Sequence, residues 1–289
     1  MLKSKKENHL LYWGAGIFSC TLIVYTIISS YFPNLTKTRD IFGDFDNILL
    51  IIVFTLLLAP VLEELIFRGI FIIKKNYIFC FYIGVVAMIL VTQNYYLFLI
   101  LITTFFIYRK RKTFNTNPLY FLNSLLFALI HYKLSDFTNI FSFIPVFFQF
   151  SIALILIWIT INYSLIWSMV LHFFINASII IPLVFLIQFP EMKQNSIITN
   201  EIKFEWKKTP VLGKTKIIYT SDKVEAKRIT ISQLIKIFNP KEIDFQVNDS
   251  LKYYRYNFTI ENLNNHKIEL KQVKKFLINH NLIENVENK

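Results

Sequence analysis

Within the apolar runs of this 289-residue chain, five side chains can carry a charge: Glu63, Glu64, Arg68, His131 and His172. Lys133 is left aside as interfacial. An ionisable group at the centre of a membrane helix costs about 2.5–3.5 kcal/mol on insertion scales, so such groups mark function more often than packing. A carboxylate beside imidazoles can take a proton from water and return it to a leaving group. Amide and imidazole N–H groups can hold a developing oxyanion. Glu64 and Arg68 stand four apart in the acid-first order that suits an ion pair along a helix. Glu63 then points about 100° away round the helix and lacks a local partner, which makes it the better candidate for proton transfer. His172 and Asn176 are also four apart and share a face, as do Phe127 and His131, with Phe127 as an apolar wall. Each group has a plainer reading. Glu64–Arg68 can be a structural pair, His131 can bond a carbonyl at a helix end, and His172 with Asn176 can be polar glue between helices.

The elements that must position these residues follow from composition. The chain is 54% hydrophobic and 17% aromatic, with thirty Phe, fifteen Tyr and a mean hydropathy of +0.46. Only 17% of residues are charged, against about a quarter in soluble proteins. A disordered chain and an ordinary cytosolic globule are excluded. Cys20 and Cys80 lie in apolar runs, which excludes a disulfide scaffold or a cysteine-built zinc site. The net charge of +12 reads as basic loops at a bilayer, with no nucleic-acid partner.

A bilayer core about 30 Å thick needs about 20 apolar residues per helix. Residues 10–32, 48–73, 118–134, 143–161 and 165–189 supply such stretches. The first follows Lys3, Lys5 and Lys6 and is read as a retained helix rather than a cleaved signal. Residues 77–108 are interrupted by Thr92-Gln93-Asn94 and flanked by Lys74-Lys75 and by Arg109-Lys110-Arg111-Lys112. Basic clusters favour the cytoplasm, so an even number of crossings lies between them, and a hairpin of two short helices satisfies this. The expected fold is an all-α polytopic membrane protein of about seven transmembrane helices, N-terminus cytoplasmic, with a small α+β soluble C-terminal domain outside.

That topology brings the charged residues to one level. At about 1.5 Å per residue, Glu63 lies roughly 16 Å from the cytoplasmic face, His131 about 20 Å and His172 about 14 Å. The sidedness comes from lysines and arginines alone, so the agreement is an independent reason to group them.

The domain boundary falls near Pro190. Residues 1–190 hold thirteen Lys/Arg and seven Asp/Glu, whereas residues 191–289 hold eighteen and twelve. In this tail Ile202, Phe204 and Trp206 alternate with Lys203, Glu205 and Lys207, as in a half-buried strand. Strand character returns at 216–220 and 252–260, and Leu270, Val273, Phe276 and Leu277 fall at helical spacing.

The motifs resemble those of the CPBP family, the CAAX-protease and bacteriocin-processing (Abi) group of intramembrane proteases. Glu63-Glu64-Leu65-Ile66-Phe67-Arg68-Gly69 matches EExxxR with its glycine, Phe127-Ala128-Leu129-Ile130-His131 matches FxxxH, and His172-Phe173-Phe174-Ile175-Asn176 matches HxxxN. They stand in family order, and residues 162–168 resemble the short loop before the third motif. The resemblance covers roughly residues 48–180 and leaves out the first helix and the tail. The first two motifs are further apart than is usual, and the 77–108 hairpin accounts for the excess. The resemblance implies an intramembrane endopeptidase. Glu63 and His131 would activate the attacking water, His172 and Asn176 would hold the oxyanion, and Glu64 and Arg68 would support them.

The family is often described as metalloproteases, and Glu63, His131 and His172 are the ligand set if zinc is bound, although no HExxH motif is present. The implied partners are a peptide or membrane-protein substrate and the lipid bilayer; oligomeric state is left open. The Lys/Asn/Ile-rich composition points to a bacterial plasma membrane. Two readings compete: a catalytically silent member of the family acting as a binding or immunity protein, and a proton-coupled transporter with a Glu/His relay. Intact motif positions favour the enzyme, and the lack of pseudo-symmetry between halves counts against the transporter.

Overall fold

The structure, a computed structural model, describes residues 7–31, 48–72, 74–110, 116–137, 139–239, 245–247, 251 and 253–285. Lys3, Lys5, Lys6, Arg111 and Lys112, which bear on sidedness, lie outside the described residues, as does Lys252. The chain divides into two compact units, one of Met1–Gly43 and Leu50–Ala177, the other of Asp44–Leu49 and Ser178–Lys289.

The first unit is helical. α1 (Asn8–Tyr31) lies against α7 (Ile144–Asn162). Glycine makes the approach close: a methyl group at Gly14 would come within 2.7 Å of Ile155 Cγ1 and 3.0 Å of the Ser151 carbonyl. Small residues serve membrane helices in this way because backbones pack closely where side chains are absent. Trp158 Nε1 donates to Asn8 Oδ1 at 3.3 Å across the same contact.

The glutamates sit on a helical rod that changes pitch twice. α2 (Ile48–Val53) passes into a π-helical turn (Phe54–Leu58), then α3 (Ala59–Arg68), then a 3-10 turn (Gly69–Phe71). In the π turn the Ala59 N–H donates to the Phe54 carbonyl, five residues back. Continuing that register would need residue 60 to donate to Thr55, and residue 60 is proline, which has no N–H. The π turn therefore ends at the foot of the segment that carries Glu63.

α4 (Lys75–Thr92) and α5 (Leu97–Arg109) form a hairpin, with Tyr82 and Phe105 edge to face at 5.6 Å. Gln93, left-handed at φ 59°, ends α4 at the polar interruption. Phe81, Val85, Ile89, Leu97 and Leu101 bury against Phe67, Ile70 and Phe127. α6 (Asn117–Leu129) begins with Pro118 in its first turn, where the missing N–H costs nothing. It stops at Leu129, so His131 stands just past its end. α8 (Leu165–Gln188) follows α7 after a two-residue link and contains Pro182.

Among the described residues, four helices are long and apolar enough to cross a membrane: Asn8–Tyr31, Lys75–Thr92, Ile140–Asn162 (α7 with its preceding 3-10 turn) and Leu165–Gln188. Of the other expected crossings, the glutamate rod is broken by its two pitch changes. α5 and α6 have 13 residues each, roughly 20 Å of helix. The chain is mostly helical, with a small antiparallel sheet confined to its C-terminal region.

In the second unit β1 (Gln194–Ile198), β2 (Ile202–Thr209), β3 (Lys216–Tyr219), β4 (Lys223–Ile229) and β6 (Arg255–Asn262) form an antiparallel sheet in the order β1-β2-β6-β4-β3. Phe204 pairs with Ile260 and Trp206 with Phe258. Val224, Ala226, Tyr256, Phe258 and Ile260 bury with them beneath α9 (Ile231–Phe238) and α10 (Leu270–Asn279). Thr230 and Gln233 cap the start of α9 reciprocally. β5 (Phe245–Val247) and β7 (Ile283–Asn285) pair as a separate two-stranded sheet.

Candidate active site

α3 turns Glu64 and Arg68 inward on one face, four residues apart and fully buried, with Arg68 Nε 3.4 Å from Glu64 Oε2. The guanidinium lies over the Phe127 ring, 4.4 Å from its centroid. Phe127 sits at the middle of the cluster: its ring meets Phe67 at 5.2 Å, His131 at 5.2 Å and His172 at 5.9 Å. The same ring thus carries Arg68 and faces both histidines.

Both histidines have one ring nitrogen engaged by the protein. His131 Nδ1 lies 2.7 Å from the Phe127 carbonyl. A carbonyl only accepts, so this nitrogen carries the hydrogen. His172 Nδ1 lies 3.0 Å from Glu64 Oε1. The opposite nitrogens converge on one carboxylate: His131 Nε2 is 3.6 Å from Glu63 Oε1, and His172 Nε2 is 3.7 Å from Glu63 Oε2. Both gaps exceed a direct hydrogen bond, and a water beside each pair can contact both atoms.

Side-chain exposure rises across the cluster, from 0% at Glu64 and Arg68 through 6% at His172 and 17% at Glu63 to 25% at His131. The deep end is a structural ion pair and the accessible end is Glu63 with His131.

Asn176 takes a different place. Its Nδ2 donates to the Thr55 carbonyl at 3.0 Å, the acceptor that Pro60 cannot serve. No hydrogen bond joins it to Glu63, His131 or His172 among the described residues. The structure thus brings together Glu63, Glu64, Arg68, Phe127, His131 and His172, and puts Asn176 on the π turn beneath them.

Two residues at the cluster carry no charge and escape a search for ionisable groups. Ser168, buried on α8 one turn before His172, donates its hydroxyl to Glu64 Oε2. Asn123, buried on α6 and eight residues before His131, donates Nδ2 to the Phe67 carbonyl at 2.8 Å. Ser168, His172 and Asn176 stand at i, i+4 and i+8 and so share a face of α8, whereas Asn123 has no such polar series.

Glu63, His131 and His172 offer a carboxylate and two imidazole nitrogens, the donor types zinc takes. Among the described residues, however, no three His, Cys, Asp or Glu side chains are gathered closely enough to hold a metal ion.

Residues 45–178, a little under half of the chain, match the family described as "Type II CAAX prenyl endopeptidase Rce1-like". No curated protein and no solved structure matches the chain. The matched segment spans all three motifs and every residue of the cluster, and its apolar helices are those of an integral membrane protein. Over residues 45–178 the chain is thus similar to the Rce1-like family of CAAX-protease-type hydrolases, consistent with a CPBP intramembrane protease.

Proposed function

We propose that the chain is an intramembrane endopeptidase that hydrolyses a peptide bond with water activated by Glu63 and His131. One observation carries the reading: two histidines, each engaged at Nδ1, aim Nε2 at the two oxygens of a single carboxylate across gaps of 3.6 and 3.7 Å. A water between Glu63 and His131 gives one proton to the Glu63 carboxylate while its oxygen attacks the carbonyl carbon. The carbonyl π pair moves to oxygen. His172 and the second N–H of the Asn176 amide stabilise that oxyanion. Collapse breaks the C–N bond, and Glu63 returns the proton to the departing amine. Preorganised donors of this kind are each worth about 10²- to 10³-fold in rate.

The substrate is a membrane-anchored peptide; a prenylated peptide ending in a CAAX sequence is the probe that the family description suggests. The same reading takes seven crossings of a bacterial plasma membrane, the N-terminus cytoplasmic and the tail outside, which a reporter fused after Lys289 checks. Full-length protein in liposomes should cleave a farnesylated CAAX peptide, and Glu63→Gln should not, while inserting and unfolding as wild type does. Wild-type cleavage by Glu63→Gln removes Glu63 from the chemistry. A wild-type protein inert on all prenylated and membrane-anchored peptides returns the chain to the silent, binding reading.

A further inference from the structure

We infer that Asn123 is a positioning residue, holding α6 in register on α3 so that His131 meets Glu63 at the separation a water needs. The inference rests on the peptidase reading above.

α6 and the turn just past its end address α3 through three side chains. Asn123 donates to the Phe67 carbonyl at 2.8 Å, Phe127 packs on Phe67 and Arg68, and His131 faces Glu63. The middle contact is apolar and ring-based, so sliding α6 along α3 changes it gradually. The last spans 3.6 Å, a loose ion-pair distance longer than a direct hydrogen bond. Only the amide bond is short and directional, and it lies where α3 passes into the 3-10 turn Gly69–Phe71. Asn123 is completely buried, and its Oδ1 has no hydrogen-bond partner among the described residues. An apolar residue of the same size would avoid that unsatisfied acceptor, so the donor is what the position uses.

α8 treats α3's rod in the same way. It carries His172 and, one turn on, Asn176, whose amide takes the Thr55 carbonyl. Each helix that brings a histidine to Glu63 therefore also brings an asparagine to the backbone of the glutamate rod, at opposite ends of α3.

The experiment uses full-length protein with a farnesylated CAAX peptide. Asn123→Leu and Asn123→Asp both remove the donor, the first without adding charge. Each should lower kcat about tenfold or more, in keeping with the cost of sub-ångström misplacement. KM should stay within about twofold, and the kcat pH profile should be displaced, which lost stability alone would not do. Asn123→His, which offers an N–H at similar reach, should recover part of kcat. Wild-type kcat and pH profile in Asn123→Leu overturn the inference. Amide hydrogen exchange over residues 59–72 is a second arm that needs no activity. Faster exchange there in Asn123→Leu, against an unchanged α7, supports the register bond, and unchanged exchange overturns it. If Glu63→Gln proves active, or the peptide is not cleaved, the peptidase reading fails and this arm decides the register bond alone.

Discussion

Glu63 and Glu64 are adjacent in sequence and address opposite nitrogens of one imidazole. Glu64 Oε1 lies 3.0 Å from His172 Nδ1, and Glu63 Oε2 lies 3.7 Å from His172 Nε2. Their surroundings differ. Glu64 is fully buried and engaged by Arg68, Ser168 and His172, whereas Glu63 keeps 17% of its side chain exposed.

Removing one partner of a buried ion pair leaves an uncompensated charge and costs about 3–5 kcal/mol, whereas replacing both by apolar residues can be nearly neutral. Glu64→Leu and Arg68→Met should each lower the thermal unfolding temperature markedly, and the double variant should recover much of the loss. Glu63→Gln should unfold with the wild type. Additive losses in the Glu64/Arg68 double variant would show that the pair does not act as a unit.

Water activation as proposed for Glu63 and His131 needs no ion. Cleavage should therefore survive dialysis against a strong chelator with kcat unchanged within about twofold, far less than the loss of a catalytic group would bring. Loss on chelation with recovery on zinc, and not on magnesium, would restore Glu63, His131 and His172 as ligands.

Gly84 lets α4 lie on the glutamate rod. A methyl group there would stand 2.6 Å from Ile66 Cγ1 and 2.9 Å from its Cγ2. Overpacking of this kind costs about 1–3 kcal/mol. Gly84→Ala should lower the unfolding temperature and, because Ile66 shares α3 with Glu63, lower kcat. Ile66→Ala makes room and should restore both in the double variant. Equal losses with and without Ile66→Ala would place the clash elsewhere.

In the tail, burial, with a smaller contribution from the nearby Tyr254, pushes the Tyr256 phenol well above the ordinary tyrosine value. Its hydroxyl is buried with no hydrogen-bond partner among the described residues. The neutral form is the one the fold favours. Its contribution is full below the ordinary value near 10 and is lost as pH rises beyond it toward the raised folded value. Tyr256→Phe should change stability by no more than about 1 kcal/mol at neutral pH. It should also remove part of the destabilisation above about pH 10. Fluorescence-detected unfolding across that range checks it, and an identical alkaline loss in both proteins would acquit Tyr256.

The charged members of the cluster were legible because a charge in an apolar run is rare and costly, and α3's four-residue spacing already tied Glu64 to Arg68. Ser168 was not. Thr21, Thr26, Thr92, Thr104 and Thr160 all bond the carbonyl four residues back in their own helices. A hydroxyl in such a helix thus carries its own local partner, and only the packing shows that Ser168 turns to Glu64. Asn123 escaped for a related reason: its partner is a backbone carbonyl, which has no signature by residue type. The end of α6 at Leu129 was also hidden, because residues 130 and 132 continue the apolar run past the point where the backbone leaves the helix. In the tail, alternation disclosed β2 and spacing disclosed α10. The expected strand at 252–260 has its counterpart in β6 (Arg255–Asn262), shifted toward its C-terminal end. β4 carries Lys, Glu, Lys and Arg on its open face and reads as a loop until its Val224, Ala226 and Ile229 are seen buried.

Pro60 and Asn176 are a lesion and its repair. The proline deletes a donor in one helix, and an amide far along the chain supplies the substitute to Thr55. Neither residue is self-sufficient. Asparagine lost from position 176 should be tolerated best where position 60 has regained an N–H, so Pro60→Ala is the expected suppressor of Asn176→Leu folding defects. In the drift of sequences descended from this one, the two positions should change hands together.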